Sequence, residues 1–109
     1  MAFDESLAER VRDELAVHGG VTERKMFGGL AFMLHGNMCC GIVDDRLMVR
    51  VGPDAYDEAL ARPHAHEMDF TGRPMRGLVY VEAAGVAEED DLEAWVGRGV
   101  DYATTLPRK

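Results

Sequence analysis

Residues 30–51 hold three apolar runs, Leu30–His35, Met38–Val43 and Arg46–Val51, separated each time by only two residues, Gly36-Asn37 and Asp44-Asp45. Such dipeptides suit tight hairpin turns, in which one or both central residues take a positive φ. Two residues leave no room for a crossover, so the three runs must fold as an antiparallel meander. Two-residue loops also set a register, with His35 opposite Met38 and Val43 opposite Arg46. One face of the meander then carries Ala31, Met33, His35, Met38, Cys40, Ile42, Leu47, Val49 and Val51. The other carries Leu30, Phe32, Leu34, Cys39, Gly41, Val43, Arg46, Met48 and Arg50. Because Leu47, Val49 and Val51 alternate cleanly with Arg46, Met48 and Arg50, the first face is expected to lie under helices. A single bulge would turn part of this assignment over.

Helical periodicity appears at both ends. Leu7, Val11 and Leu15 recur every fourth residue with Ala8 beside them, which predicts a helix over Asp4–His18, N-capped by Asp4 and ended by Gly19-Gly20. Leu92, Trp95, Val96, Gly99, Val100 and Ala103 form a second apolar stripe, opened by the acids Glu88-Glu89-Asp90-Asp91 at the positive end of its helix. Between the first helix and the meander, Val21 to Gly29 reads as a short extended approach. After the meander, Pro53 opens a short helix to about Ala61, anchored by Tyr56 and Leu60. Arg62 to Pro74 reads as loop with a short strand at Glu67–Phe70, and Met75 to Glu82 as a strand. The expectation is a single α+β domain spanning residues 1–109, two-layered, with an antiparallel sheet and helices on one face.

The charge balance limits partners. Twelve Lys and Arg stand against twenty Asp and Glu, a formal charge of −8. Duplex DNA is bound mainly by neutralising phosphates, so direct DNA binding is not expected, although Arg46, Arg50, Arg73 and Arg76 could form a local basic patch. No apolar run approaches the roughly 18–20 residues needed to span a bilayer, and acids in the first five residues do not suit a secretory signal. A cytoplasmic location is expected. The two cysteines, Cys39 and Cys40, are adjacent; in a regular strand they point to opposite faces, so a disulfide between them is not expected.

From Arg24-Lys25-Met26-Phe27-Gly28-Gly29 onward the chain resembles the TfoX/Sxy N-terminal domain family. The likeness runs through Asp44-Asp45-Arg46-Leu47, Gly72-Arg73-Pro74-Met75-Arg76-Gly77, Leu92-Glu93-Ala94-Trp95-Val96 and Thr105-Leu106-Pro107-Arg108-Lys109. It implies a two-layer α/β fold with an antiparallel sheet. Longer relatives carry a second domain and regulate natural competence, promoting transcription of DNA-uptake genes together with a cyclic-AMP receptor regulator. The resemblance brings no catalytic residues, and its motif at residues 24–29 reads as architecture: Phe27 packs while the glycines allow a bend or a close backbone approach.

Several sites can be weighed from the residues themselves. The apolar face of Leu30, Phe32, Leu34, Val43 and Met48, edged by Arg46 and Arg50, is larger than a monomer usually leaves in water and suits a protein partner or a homodimer. A segment around Met68–Phe70 covering it from within is the competing reading. Arg24 and Lys25 before two glycines could meet an anion or a partner. His64, His66 and Glu67, joined by His35 or Cys39, offer an alternative centre for a metal or small ligand, but no second ligand motif with suitable spacing accompanies them. Cys39, opposite Arg50 in the expected register, is the more interesting of the two thiols as a nucleophile, with structural packing as the competing reading. The expectation is a non-catalytic regulatory or protein-interaction domain, without cofactor or metal, that associates through the sheet face.

Overall fold

The computed structural model describes residues 3–26, 28–67 and 77–107. The elements run α1 (Glu5–Leu15), β1 (Val21–Met26), β2 (Gly29–Leu34), β3 (Asn37–Val43), β4 (Arg46–Arg50), α2 (Tyr56–Leu60), β5 (Ala65–Glu67), β6 (Leu78–Val81), a 3-10 turn (Ala83–Val86) and α3 (Glu89–Ala103). All the strands join one antiparallel sheet in the order β1-β2-β3-β4-β6-β5.

The helices form where the periodicity places them. Asp4 caps α1 by accepting bonds from the Ser6 and Leu7 amides at 2.9 and 3.2 Å. Leu7, Ala8, Val11 and Leu15 are buried along one stripe, and each of the larger ones contributes about 1.5–3 kcal/mol on leaving water. In α3 the stripe Leu92, Trp95, Val96, Gly99, Val100 and Ala103 is buried as expected. Acids in the first turn of α3 face the positive end of its dipole. The short helix starts at Tyr56 rather than at Pro53, and it buries Tyr56 and Ala59, with Leu60 only partly covered. The expected strand at Glu67–Phe70 is Ala65–Glu67 within the described residues; Met68–Phe70, Arg73, Met75 and Arg76 lie outside them.

The β3–β4 hairpin has the expected register, Val43 opposite Arg46, Ile42 opposite Leu47 and Cys40 opposite Val49. Asp44 holds φ +56 in the turn, a conformation that Asp tolerates better than most residues. The first hairpin differs in two ways. Its turn is His35-Gly36, with φ of +51 and +85, so Leu34 pairs with Asn37 and Met33 with Met38. The register then shifts, and Phe32 pairs with Cys40. Cys39 is the extra residue of a β-bulge.

These two departures reverse β2. Leu30, Phe32 and Leu34, expected on the outer face, are buried in the main core with α1, α2 and α3. Ala31, Met33 and Met38, expected beneath the helices, lie instead with Val43, Met48 and Tyr80 in a second buried cluster that contains no helical residue. Leu47, Val49 and Val51 face the helices as read. The bulge brings Cys39 into the main core beside Cys40, although successive strand residues normally diverge.

The bulge also explains a glycine in α3. A Cβ at Gly99 would lie 2.2 Å from the Cys39 carbonyl oxygen. The helix therefore sits on the β3 backbone with no side chain between them.

Candidate functional site

The stretch expected to be an irregular approach is β1, a six-residue strand at the edge of the sheet. Its sequence, Val-Thr-Glu-Arg-Lys-Met, shows no apolar alternation because Thr22, Glu23, Arg24 and Lys25 are all exposed. What makes it a strand is pairing with β2, which runs from Val21 opposite Leu34 to Met26 opposite Gly29. Arg24 stands opposite Ala31 and so belongs to the face away from the helices. Lys25, opposite Leu30, and Glu23, opposite Phe32, belong to the helical side.

Glu23 is tied back to α1. The Arg12 guanidinium donates to both its carboxylate oxygens, at 2.6 and 2.9 Å, and this bond holds the Glu23 carboxyl below its ordinary range. The pair is substantially exposed and adds at most about 1 kcal/mol to stability, but it fixes the edge strand against the helix. Arg24 and Lys25 have no carboxylate partner among the described residues. Among the described residues, one flank of β1 therefore presents unpaired backbone N–H and C=O groups beside two cations without a carboxylate partner.

The glycines that follow have different reasons for being there. Gly28 takes φ +72 with open space around it. At Gly29 a Cβ would fall 2.0 Å from the Ile42 carbonyl oxygen, so β2 begins by pressing against β3. Phe27 lies outside the described residues and nothing is said of the Met26 side chain.

The other candidates are not gathered into one place. Leu30, Phe32 and Leu34 lie under the helices and Met48 is fully buried on the opposite face. They form no common surface. Arg46 stacks over the Tyr80 ring at 4.2 Å and reaches Asp44 at 3.5 Å. Arg50 stacks over Tyr102 at 5.3 Å. Cys39 does not meet Arg50: its thiol donates to the Phe32 carbonyl at 3.5 Å and lies 3.9 Å from the Cys40 sulfur, with both residues buried. The hydrogen bond between the thiols lowers the Cys39 pKa, and the same contact together with burial raises that of Cys40. His64 and His66 converge on Glu82, at 3.7 and 2.8 Å, rather than on Glu67. His35 occupies the first hairpin turn against Gly20. Among the described residues no group of three or more His, Cys, Asp or Glu is arranged to hold a metal ion.

Residue reading did not single out the network on Glu58. Arg98 of α3 donates to its two oxygens at 2.9 and 3.1 Å, and Arg62 donates at 2.6 Å. The two guanidinium groups, Arg98 foremost, push the exposed Glu58 carboxyl down to about 2. The Glu58–Arg62 spacing of four was a visible cue, whereas Arg98 arrives only through the fold.

An open-sheet α+β domain with all its helices on one face is the class of protein these observations define. A family model described as the TfoX N-terminal domain matches residues 13–103, so the chain belongs to the TfoX N-terminal domain family. This is not a known enzyme family. No curated protein and no solved structure matches the chain. No helix among the described residues is long and apolar enough to cross a membrane.

Proposed function

We propose that this chain is a non-catalytic regulatory domain that works by pairing its β1 edge with an acidic, extended segment of a partner protein. The observation that supports it is the open edge with Arg24 and Lys25 exposed and unpaired among the described residues. An extended peptide can add to such an edge through main-chain hydrogen bonds, while side chains set the choice of partner. Charges on an edge strand discourage indiscriminate sheet-to-sheet association. Here they leave a preference for a segment of opposite sign.

A second copy of the chain is the competing occupant: antiparallel pairing of two β1 strands about a two-fold axis at Glu23 or Lys25 sets like charges directly opposite, which destabilises a pair, whereas an axis at Arg24 sets Glu23 opposite Lys25 twice. Membership of the TfoX N-terminal domain family is compatible with a regulatory role, and the resemblance to competence regulators supplies the kind of regulation to test.

The test is a titration of isotope-labelled protein with two strand-forming hexapeptides, one alternating Glu with Val and one alternating Lys with Val. The acidic peptide is expected to shift the 21–26 amide signals saturably, and Arg24→Glu with Lys25→Glu is expected to remove that response. Equal binding of both peptides, no saturable shift, or shifts centred away from β1 would overturn the proposal.

A further inference from the structure

We infer that the cavity between the β4 end and the last turn of α3 is a binding site for a small organic carboxylate with an apolar or aromatic body, with Arg50 as its anion partner. The cavity, about 380 Å³, is lined by Met38, Arg50, Gly52, Pro53, Gly77, Leu78 and Tyr102. That volume lies within the range of small-molecule pockets, which typically combine mainly apolar walls with few polar groups.

Arg50 is the charged group on the wall, and its situation differs from that of most other arginines. Arg10, Arg12, Arg46, Arg62 and Arg98 each meet a carboxylate. Arg50, half-buried, has a cation–π contact with Tyr102 at 5.3 Å and no ion pair among the described residues. In a chain carrying −8 overall, a half-buried guanidinium that meets no carboxylate among the described residues stands out. Stacking on an aromatic ring holds the guanidinium plane while leaving its N–H fork free for a bidentate carboxylate.

The backbone opens the space. Gly52 and Gly77 hold φ of +86 and +98, and the Val51 and Gly52 amides both donate to the Gly77 carbonyl, at 2.8 and 3.1 Å. A Cβ on Gly52 would lie 2.4 Å from the Tyr102 ring. The bare glycine backbone therefore admits the ring that supports Arg50. The negative end of the α3 dipole is a potential objection to an anion here. Its Asp101 and Tyr102 carbonyls accept from the Thr104 and Thr105 hydroxyls at 2.9 and 2.6 Å, which blunts that end. Met38 and Leu78 provide the apolar wall against which the body of the ligand rests.

The site is tested with two probes of similar shape, phenylacetate and its uncharged counterpart 2-phenylethanol, added to the isotope-labelled protein. Phenylacetate is expected to shift the Gly52, Gly77, Leu78 and Tyr102 amide signals saturably, with a Kd on the order of 1 mM, as suits a fragment-sized ligand. The alcohol is expected to bind at least about tenfold more weakly, a factor worth about 1.4 kcal/mol. Arg50→Gln, which keeps much of the side-chain stem, should bring the acid down to the level of the alcohol. Equal affinity of acid and alcohol for the native protein, or no saturable shift at these residues, would overturn the inference whether or not the variant folds. A fall in phenylacetate binding that the alcohol shares in Arg50→Gln would also count against it.

Discussion

The two hairpins of the central meander are built from similar sequence and end with different geometries. In β3–β4 the turn dipeptide is the one the sequence points to, and the pairing runs without interruption from Val43–Arg46 to Cys40–Val49. In β2–β3 the turn moves back by one residue, and a bulge at Cys39 then takes up an extra one. The difference shows how a register is decided. Asp44-Asp45 precedes a strand whose alternation is unambiguous, so sliding it would bury Arg46 and Arg50 and expose Leu47 and Val49. Leu30-Ala31-Phe32-Met33-Leu34 is apolar on both sides, so its own pattern imposes little resistance to being turned over. Tertiary contacts decide the matter instead. Asn37 is only 2% exposed, and its side-chain amide donates to the Pro107 carbonyl at 2.9 Å. That bond draws Asn37 out of the turn and into the strand.

The largest expected effect tests the bulge from above. Gly99→Ala should cost about 3 kcal/mol, since the new methyl would meet backbone rather than a movable side chain. Urea unfolding measures this directly. Gly97, two residues earlier in the same helix, has nothing within 4 Å of a built Cβ, and Gly97→Ala should stabilise by about 0.5–1 kcal/mol through helix propensity. Opposite signs at the two positions would be the mark of close approach over Cys39; equal stabilisation at both would break that account.

A middle-sized effect tests the turn that moved. Asn37→Ala removes the bond to Pro107 together with the packing of a side chain that is almost wholly covered, and should cost about 1–2 kcal/mol. The loss should appear in equilibrium unfolding, together with faster amide exchange near the His35-Gly36 turn. The turn that kept its place gives the smallest destabilisation. Asp44→Ala puts a less tolerant residue at φ +56 and should cost about 1 kcal/mol, without altering exchange in β2. A change in β2 exchange as large as that from Asn37→Ala would mean that the two hairpins are not independently specified.

Much of the architecture is legible in the residues. The α1 and α3 stripes declare themselves because four-residue spacing of Leu7, Val11 and Leu15, or of Leu92, Val96 and Val100, marks one buried face of a helix. Val79 and Val81 likewise separate cleanly from Leu78 and Tyr80. What stays hidden is set by contacts distant in sequence. A bulge leaves no residue signature, so the common orientation of Cys39 and Cys40 was not readable. The outer sheet face reads as a docking surface only while Phe32 is placed on it. With Phe32 under the helices and Met48 fully buried, that reading falls.

The candidate edge was half visible. Arg24 and Lys25 stand out as a pair, but Val21–Met26 lacks the alternation of a half-buried strand because both its faces are wet. The Arg50–Tyr102 contact joins the end of β4 to α3 and has no local cue at all.

Cross-strand Hα–Hα and amide contacts along β2 and β3, read by nuclear Overhauser spectroscopy, test the reversed strand most directly. Pairing of Met33 with Met38 and of Phe32 with Cys40 is predicted. Pairing of Met33 with Cys40 and of Phe32 with Gly41 would contradict it, restore a His35–Met38 hairpin, and turn Phe32 back to the outer face.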